Sequence, residues 1–108
     1  MRPCGRVLVV EGRPIRFAQG LKPDYGSDVH AIRIVKLCKS GYAEEYLGDS
    51  PILSAGQEYW HSGGMHHIDA HQLKDGTCIA CVDGWSVAPR KLANLLMTAR
   101  YPRTAGVL

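Results

Sequence analysis

The sequence contains no long apolar run, no tandem repeat and no dense basic stretch. A membrane-spanning helix needs about 20 consecutive apolar residues, so the composition excludes membrane spans. Residues 1–5 lack the apolar core of a signal peptide, which favours a cytoplasmic protein. The 13 Lys and Arg exceed the 10 Asp and Glu by only three charges, whereas nucleic-acid-binding domains usually carry a concentrated basic surface. We therefore expect neither a membrane nor a nucleic acid among its partners.

Cysteine is also scarce. The four residues Cys4, Cys38, Cys78 and Cys81 are too few for a disulfide scaffold of this length, and we expect reduced thiols. Cys78 and Cys81 have C-x-x-C spacing, but strand positions three apart face opposite sides of a sheet. We therefore predict two small buried residues there, not a metal or redox motif. None of Cys38, Cys78 and Cys81 has the Gly-flanked or helix N-terminal setting of a catalytic nucleophile.

Glycine and proline, by contrast, are plentiful. The 108 residues include 12 Gly and 6 Pro, which is typical of short strands joined by turns. Runs with β-branched residues lie between these breaks and predict strands at 6–11, 15–18 and 29–37. Residues 42–47 suit either a helical turn or a strand, and we favour a strand. The 29–37 run places apolar side chains on both faces, which indicates a sheet covered on both sides. The length suits a single domain spanning residues 1–108.

The strongest local signal is a hairpin around Asp75-Gly76. Asp-Gly between two alternating runs favours a two-residue type I′ turn, because Gly tolerates positive φ. This turn predicts strands at 65–73 and 78–82, with Leu73 opposite Cys78 and Asp69 opposite Val82.

One helix is predicted, at residues 89–100. Pro89 suits the first helical turn, and Pro102 ends the helix. Leucines at positions 92, 95 and 96 and an alanine at 99 form one apolar stripe. The tail at 103–108 is predicted to be frayed. The fold class is therefore β-rich α+β, with antiparallel sheets and one C-terminal helix.

Two blocks of the sequence resemble a known family. The first is 12–20 (GRPIRFAQG), followed by 25–26 (YG) and a strand. The second is 64–68 (GMHHI), followed by 75–76 (DG) and 82–84 (VDG). In this order they resemble the last blades of five-bladed β-propeller domains related to glycoside hydrolases. They are particularly similar to the N-terminal propeller of plant glucosamine inositolphosphorylceramide transferases and to bacterial formyl-transferase-like relatives.

The resemblance covers residues 12–84 and implies a propeller-blade-like architecture, with 42–44 (YAE) as its middle block. Phe17 stands where the family has proline, and Gly20 stands where it has aspartate. A blade takes about 40–45 residues, so this chain holds at most two blades and cannot close a ring. Open sheet edges expose unpaired backbone groups. We therefore expect the chain to self-associate, as a homodimer, through a strand edge or the helix stripe.

The resemblance also implies a set of ligand-binding residues. It points to Arg16, Gln19 and His66, whose polar groups suit sugar hydroxyls, and Trp60 or Trp85 is placed to stack on a sugar ring. Arg16 and Gln19 are equally open to a structural role between blades. Glycoside hydrolysis needs two carboxylates at a defined separation, and no such pair is evident. We therefore predict a non-catalytic protein with carbohydrate-related binding.

The alternative function is that of a small metal-dependent enzyme. His67, Asp69 and His71 alternate along one predicted strand, so their side chains share one face. Two His at this spacing chelate Zn²⁺ when a third ligand converges on them. The competing interpretation is a polar strip on a partly exposed hairpin, with no cofactor.

Overall fold

The fold is built from two antiparallel sheets. We describe it from a computed structural model of the chain, which describes residues 1–87 and the backbone of 105–107. The first sheet contains β1 (Arg2–Pro3), β2 (Leu8–Val10), β3 (Arg13–Gln19), β4 (Asp28–Cys38), β5 (Gly41–Tyr46) and β6 (Leu53–Ser54). The second contains β7 (Gly64–Gln72), β8 (Cys78–Trp85) and β9 (Ala105–Val107), and a single 3₁₀ turn, Tyr59–His61, precedes it.

The predicted β-rich character and antiparallel pairing are confirmed, including the strand over 42–47. The predicted helix at 89–100 lies outside the described residues. The prediction of a frayed tail is wrong at 105–107, because these residues form β9 and pair with Ile79–Cys81 of β8.

The first sheet is built around the pair β3 and β4. β1 and β2 pair with opposite ends of the same edge of β3. β5 and β6 likewise share the free edge of β4, β6 beside its start and β5 beside its remainder. The sheet is therefore four strands wide at the two ends of the β3–β4 pairing, and only two strands wide where the β2–β3 and β4–β5 hairpins extend beyond it.

The turn between β2 and β3 explains their tight pairing. Val10 lies opposite Arg13, which leaves Glu11 and Gly12 as a two-residue loop. Both have positive φ, 50° for Glu11 and 73° for Gly12. This is the type I′ geometry, whose twist matches that of the adjoining strands.

The predicted register of the β7–β8 hairpin is wrong by one residue. Gln72 pairs with Cys78 and Asp69 with Cys81. The backbone N–H of Gly76 donates to the carbonyl of Leu73, and Gly76 has a φ of 86°. The loop is therefore a three-residue type I turn ending in a left-handed glycine, not the two-residue turn expected.

This shift changes the face on which the β8 residues lie. Ile68 now lies opposite Val82 on the core side, while Asp69 lies opposite the exposed Cys81. The prediction that Cys78 and Cys81 are both buried is therefore also wrong, since Cys78 is only partly covered.

The core lies between the two sheets. Val29 and Ala31 of β4 pack with Phe17 of β3 against Ile68 and Met65 of β7. On the opposite face of β4, Ile32 is also buried. The prediction that the 29–37 strand is covered on both faces is thus confirmed for its first half.

The N-terminal segment joins both sheets. The Cys4 backbone N–H donates to the carbonyl of Phe17 on β3. Gly5 lies against the backbone of Ile68 on β7, and Arg6 binds Asp69 through two hydrogen bonds of 2.6 and 2.9 Å. Burial raises the pKa of the Cys4 thiol, as desolvation disfavours the thiolate.

The approach of Gly5 to β7 generates a stability prediction. Gly5 has a φ of 76°, and a Cβ there would lie 1.6 Å from the carbonyl oxygen of Ile68. Gly5→Ala therefore combines left-handed strain of about 1–2 kcal/mol with overpacking of about 1–3 kcal/mol. Gly48→Ala is the matched control, since Gly48 has a φ of 57° and open space around its Cβ position. Urea denaturation should show the larger loss for Gly5→Ala; equal losses would contradict this packing.

Candidate functional site

A cleft of about 580 Å³ opens where the loop between β3 and β4 meets the paired strands β7 and β8. Its lining combines aromatic rings with acidic and imidazole side chains: Asp24, Tyr25, His66, Asp83, Gly84 and Trp85.

Hydrogen bonds connect three of the polar side chains in a chain. His66 Nδ1 lies 3.3 Å from Asp83 Oδ2, and His66 Nε2 lies 3.1 Å from the Tyr25 hydroxyl. An ionised carboxylate only accepts hydrogen bonds, so a neutral His66 carries its proton on Nδ1 and accepts through Nε2. Tyr25 then donates its hydroxyl proton to His66.

Gln19 completes this arrangement from inside the sheet. It is 4% exposed, and its Nε2 donates to the Tyr25 hydroxyl at 3.3 Å. A phenol oxygen has one proton and two lone pairs. With its proton given to His66 and one lone pair taken by Gln19, Tyr25 retains one acceptor position for a ligand.

Trp85 is held by the backbone of the opposite wall. Its indole Nε1 donates to the carbonyl of Gly26 at 2.8 Å. Gly26 has a φ of 72°, and a Cβ there would lie 2.9 Å from His66 Cδ2. At Gly64, a Cβ would lie 2.5 Å from the same Gly26 carbonyl. The two glycines therefore permit the close approach that forms the cleft.

Arg2 lies on the exposed side of Tyr25. Its guanidinium carbon is 5.2 Å from the centre of the phenol ring, within range of a cation–π interaction. The Tyr25 ring also lies 5.1 Å from the His66 ring. Tyr25 is thus positioned by contacts on its ring as well as its hydroxyl.

Three of the five predicted ligand-binding residues belong to this site. His66 and Trp85 line the cleft, and Gln19 supports Tyr25 from beneath it. Sequence reasoning missed Tyr25 and Asp83 as site residues. Both lie within the short motifs that carried the family resemblance, and those motifs were the only signal available for them.

Arg16 and Trp60 lie elsewhere. The Arg16 guanidinium binds Glu44 on β5 through two hydrogen bonds of 2.7 Å, which supports the structural alternative for this residue. Trp60 packs beside the core, with its ring 4.1 Å from that of His61.

The three predicted metal ligands do not converge. Both carboxylate oxygens of Asp69 accept hydrogen bonds from Arg6, whose Nη1 also lies 3.5 Å from His71 Nδ1. Arg6 lowers the pKa of Asp69. Within the described part of the chain, no three His, Cys, Asp or Glu side chains form a group able to hold a metal ion. The residues present therefore do not fit a zinc site, and His67 lies opposite Asp83 instead.

Comparison with known proteins agrees with these motifs. The family described as the N-terminal region of glucosamine inositolphosphorylceramide transferase 1 matches residues 1–85. The chain belongs to this family. The match includes every residue that lines the cleft, and it extends beyond the 12–84 region on which the sequence resemblance was based.

Two relatives show the extent of the similarity. The chain is 37% identical over 85 residues to glucosamine inositolphosphorylceramide transferase 1 of Oryza sativa subsp. indica, and equally to that of subsp. japonica. The alignment covers 77% of this chain but 11% of each relative, so the chain spans about a ninth of their length. No solved structure matches this member of the family. Among the residues the structure describes, no helix has the length and apolar character needed to cross a bilayer.

The Arg16–Glu44 pair predicts how stability depends on pH. Hydrogen bonds donated to Glu44 by Arg16 and by Tyr42 lower the pKa of Glu44 from 4.5 to about 2. A carboxyl group whose pKa is lower in the folded state stabilises the protein at pH values above its unfolded-state pKa. This stabilisation is lost as the pH falls through the folded-state pKa. Glu44→Gln should therefore be less stable than the natural chain at neutral pH, and the difference should shrink between about pH 5 and pH 2.

Urea denaturation across that pH range measures the difference. Glu58→Gln is the matched control, because Glu58 is exposed and forms no ion pair within the described residues. If the stability difference between Glu44→Gln and the natural chain stays constant with pH, the ion pair does not contribute to stability.

Proposed function

We propose that this chain is a non-catalytic domain that binds a carbohydrate in the cleft formed by Tyr25, His66, Asp83 and Trp85. The observation that carries the proposal is the combination of aromatic rings with a fixed set of hydrogen-bond acceptors in one open cleft. Sugars offer apolar ring faces for stacking and hydroxyl groups that donate hydrogen bonds. The free lone pair of Tyr25 and the carboxylates of Asp24 and Asp83 supply acceptors for those donors.

The charge of the cleft favours a sugar that carries an amino group. Asp24 and Asp83 contribute two carboxylates to the lining, and an ammonium group binds both carboxylates and aromatic faces. The relatives' name refers to glucosamine, an amino sugar. We therefore propose glucosamine-type sugars as the preferred ligand class.

The architecture also supports the finer proposal that the domain consists of two propeller-like blades. Propeller blades are sheets of four antiparallel strands that pack face to face. The first sheet is four strands wide at the two ends of the β3–β4 pairing, the second has three strands among the described residues, and β3 and β4 pack on β7. Both sheets curl, as blades do.

Titration with sugars tests the proposed site. Glucosamine should change the indole resonance of Trp85 in a saturable way at millimolar concentration, and glucose should bind more weakly. Tyr25→Phe removes the acceptor oxygen and should weaken binding about fivefold, the effect of one hydrogen bond. Asp24→Asn should reduce the preference for glucosamine while leaving glucose binding largely intact.

Tyr46→Phe is the control, because it removes the same hydroxyl group from a residue that does not line the cleft. The Tyr46 hydroxyl contacts Met1. The absence of any saturable change with either sugar would contradict carbohydrate binding. Binding that Tyr25→Phe and Tyr46→Phe weaken equally would place the ligand elsewhere.

We further propose that two copies of the chain associate through the outer edge of β5. Among the described strands, β5 pairs only with β4, so its other edge has unpaired backbone groups. Such edges are ready templates for another strand. Next to this edge, Leu37 is 73% exposed and Tyr42 and Tyr46 are also exposed. A second copy would cover the edge and these side chains together.

Light scattering coupled to size exclusion tests this association. The natural chain should elute with a mass of two copies at high concentration, and Leu37→Lys should shift it towards one copy because it places charge in the interface. Val9→Lys is the matched control, since Val9 is similarly exposed on β2. A natural chain that remains a single copy at every concentration would overturn the proposal.

A further inference from the structure

A second cleft, of about 340 Å³, opens where β3 and β4 separate. The pairing of these strands ends at Ile15 and Arg33. Before Ile15, β3 pairs only with β2, and beyond Arg33, β4 pairs only with β5. Backbone and side chains of six residues line the gap: Gly12, Arg13, Pro14, Arg33, Ile34 and Val35.

Pro14 explains why the strands separate here. Val10 and Arg13 close the two-residue hairpin, so the backbone N–H of Arg13 points towards β2. The next nitrogen points towards β4, and it belongs to Pro14, which has no hydrogen to donate. A β-bulge in β4 between Ile34 and Lys36 then turns that strand away.

Two arginines with spare hydrogen-bond donors line this gap. Arg13 is exposed and forms no ion pair within the described residues. Arg33 gives one hydrogen bond of 3.1 Å from Nη1 to Glu45, while its Nε is buried and has no partner. By contrast, Arg6 and Arg16 each bind a carboxylate through two hydrogen bonds. Arg13 and Arg33 are therefore two guanidinium groups with unused donors that line the same gap.

The rim of the gap leaves room for a ligand. Gly12 lies at the turn with a φ of 73°, and no atom lies within 4 Å of its Cβ position. The lining residues include two guanidinium groups and no carboxylate, and Glu45 pairs with one of the two, so the lining carries positive charge. A planar guanidinium donates two parallel hydrogen bonds to a phosphate or a carboxylate.

From these observations we propose that Arg13 and Arg33 form a binding site for a phosphate group, separate from the sugar cleft. Two guanidinium groups from different strands can each engage a different pair of oxygens of a tetrahedral phosphate. A carboxylate presents only two oxygens, both in one plane, so it engages two guanidinium groups less fully than a tetrahedral phosphate does. The site thus distinguishes the two anions by the number of oxygens they present.

NMR titration of arginine Nε–Hε and backbone resonances tests the site directly. Inorganic phosphate, phenyl phosphate and acetate are added separately at constant ionic strength. Both phosphates should give saturable shifts at Arg13, Arg33 and Gly12, and acetate should bind about tenfold more weakly, the effect of losing charged hydrogen bonds. Binding of phenyl phosphate but not of free phosphate would show that the site takes a phosphorylated ligand.

Charge variants separate this site from general attraction to a basic protein. Arg13→Gln and Arg33→Gln should each weaken phosphate binding about tenfold or more, since each removes charged hydrogen bonds. Lys39→Gln, which removes the same charge from the β4–β5 turn, should change it little. Glu45→Gln should strengthen binding severalfold, because it releases Nη1 of Arg33.

The outcomes that overturn the proposal are clear. Shifts that do not saturate, equal losses in Arg13→Gln and Lys39→Gln, or no gain in Glu45→Gln would each exclude a defined site. Glu45 is exposed, so its variant keeps the test valid even if Arg33→Gln does not fold. Tyr25→Phe should leave phosphate binding unchanged, so failure of the sugar site and of this site can be told apart.

Discussion

The hydrogen bond from the Trp85 indole to the Gly26 carbonyl is the contact on which the candidate site depends. It joins β8 of the second sheet to the loop between β3 and β4 of the first. Because Gly26 and Gly64 have no side chains, the two walls approach closely enough for His66 to reach Tyr25. Together with the bond from the Met65 backbone N–H to the Ser27 carbonyl, it holds the aromatic and acidic groups of the cleft in one surface.

The sequence predicted the strands well because β-branched runs and glycine-rich breaks are local signals. It failed at the β7–β8 register, where Asp75-Gly76 permits two turn geometries that differ by one residue. The structure selects the three-residue loop, with Leu73 opposite Thr77 and Gly76 in the left-handed region. A choice between two turns of similar local preference depends on which face of β8 packs on the core, and that information is not local.

The candidate site shows the same contrast between local sequence signals and long-range contacts. His66, Trp85 and Gln19 were predicted through the family motifs, but Tyr25 and Asp83 gain their roles from contacts across more than 15 residues of sequence. The arginines illustrate the point further, because four similar residues have different partners. Arg6 and Arg16 each bind a carboxylate through two hydrogen bonds, Arg33 binds Glu45 through one, and Arg13 forms no ion pair within the described residues. These differences depend on which strands lie side by side in the fold.

The N-terminal segment has a consequence for how the chain is made. Cys4 contacts Phe17 nearby in the sequence, whereas Gly5 contacts Ile68 and Arg6 binds Asp69. Arg6 and Asp69 are 63 residues apart in the sequence. On the ribosome, residues 4–6 are synthesised before β7 and must therefore wait until β7 has left the exit tunnel before they reach their final position. Contacts between such distant parts of a sequence slow folding. Until then residues 4–6 lack their partners on β7, so the nascent chain is most open to chaperones and to misassociation during that interval.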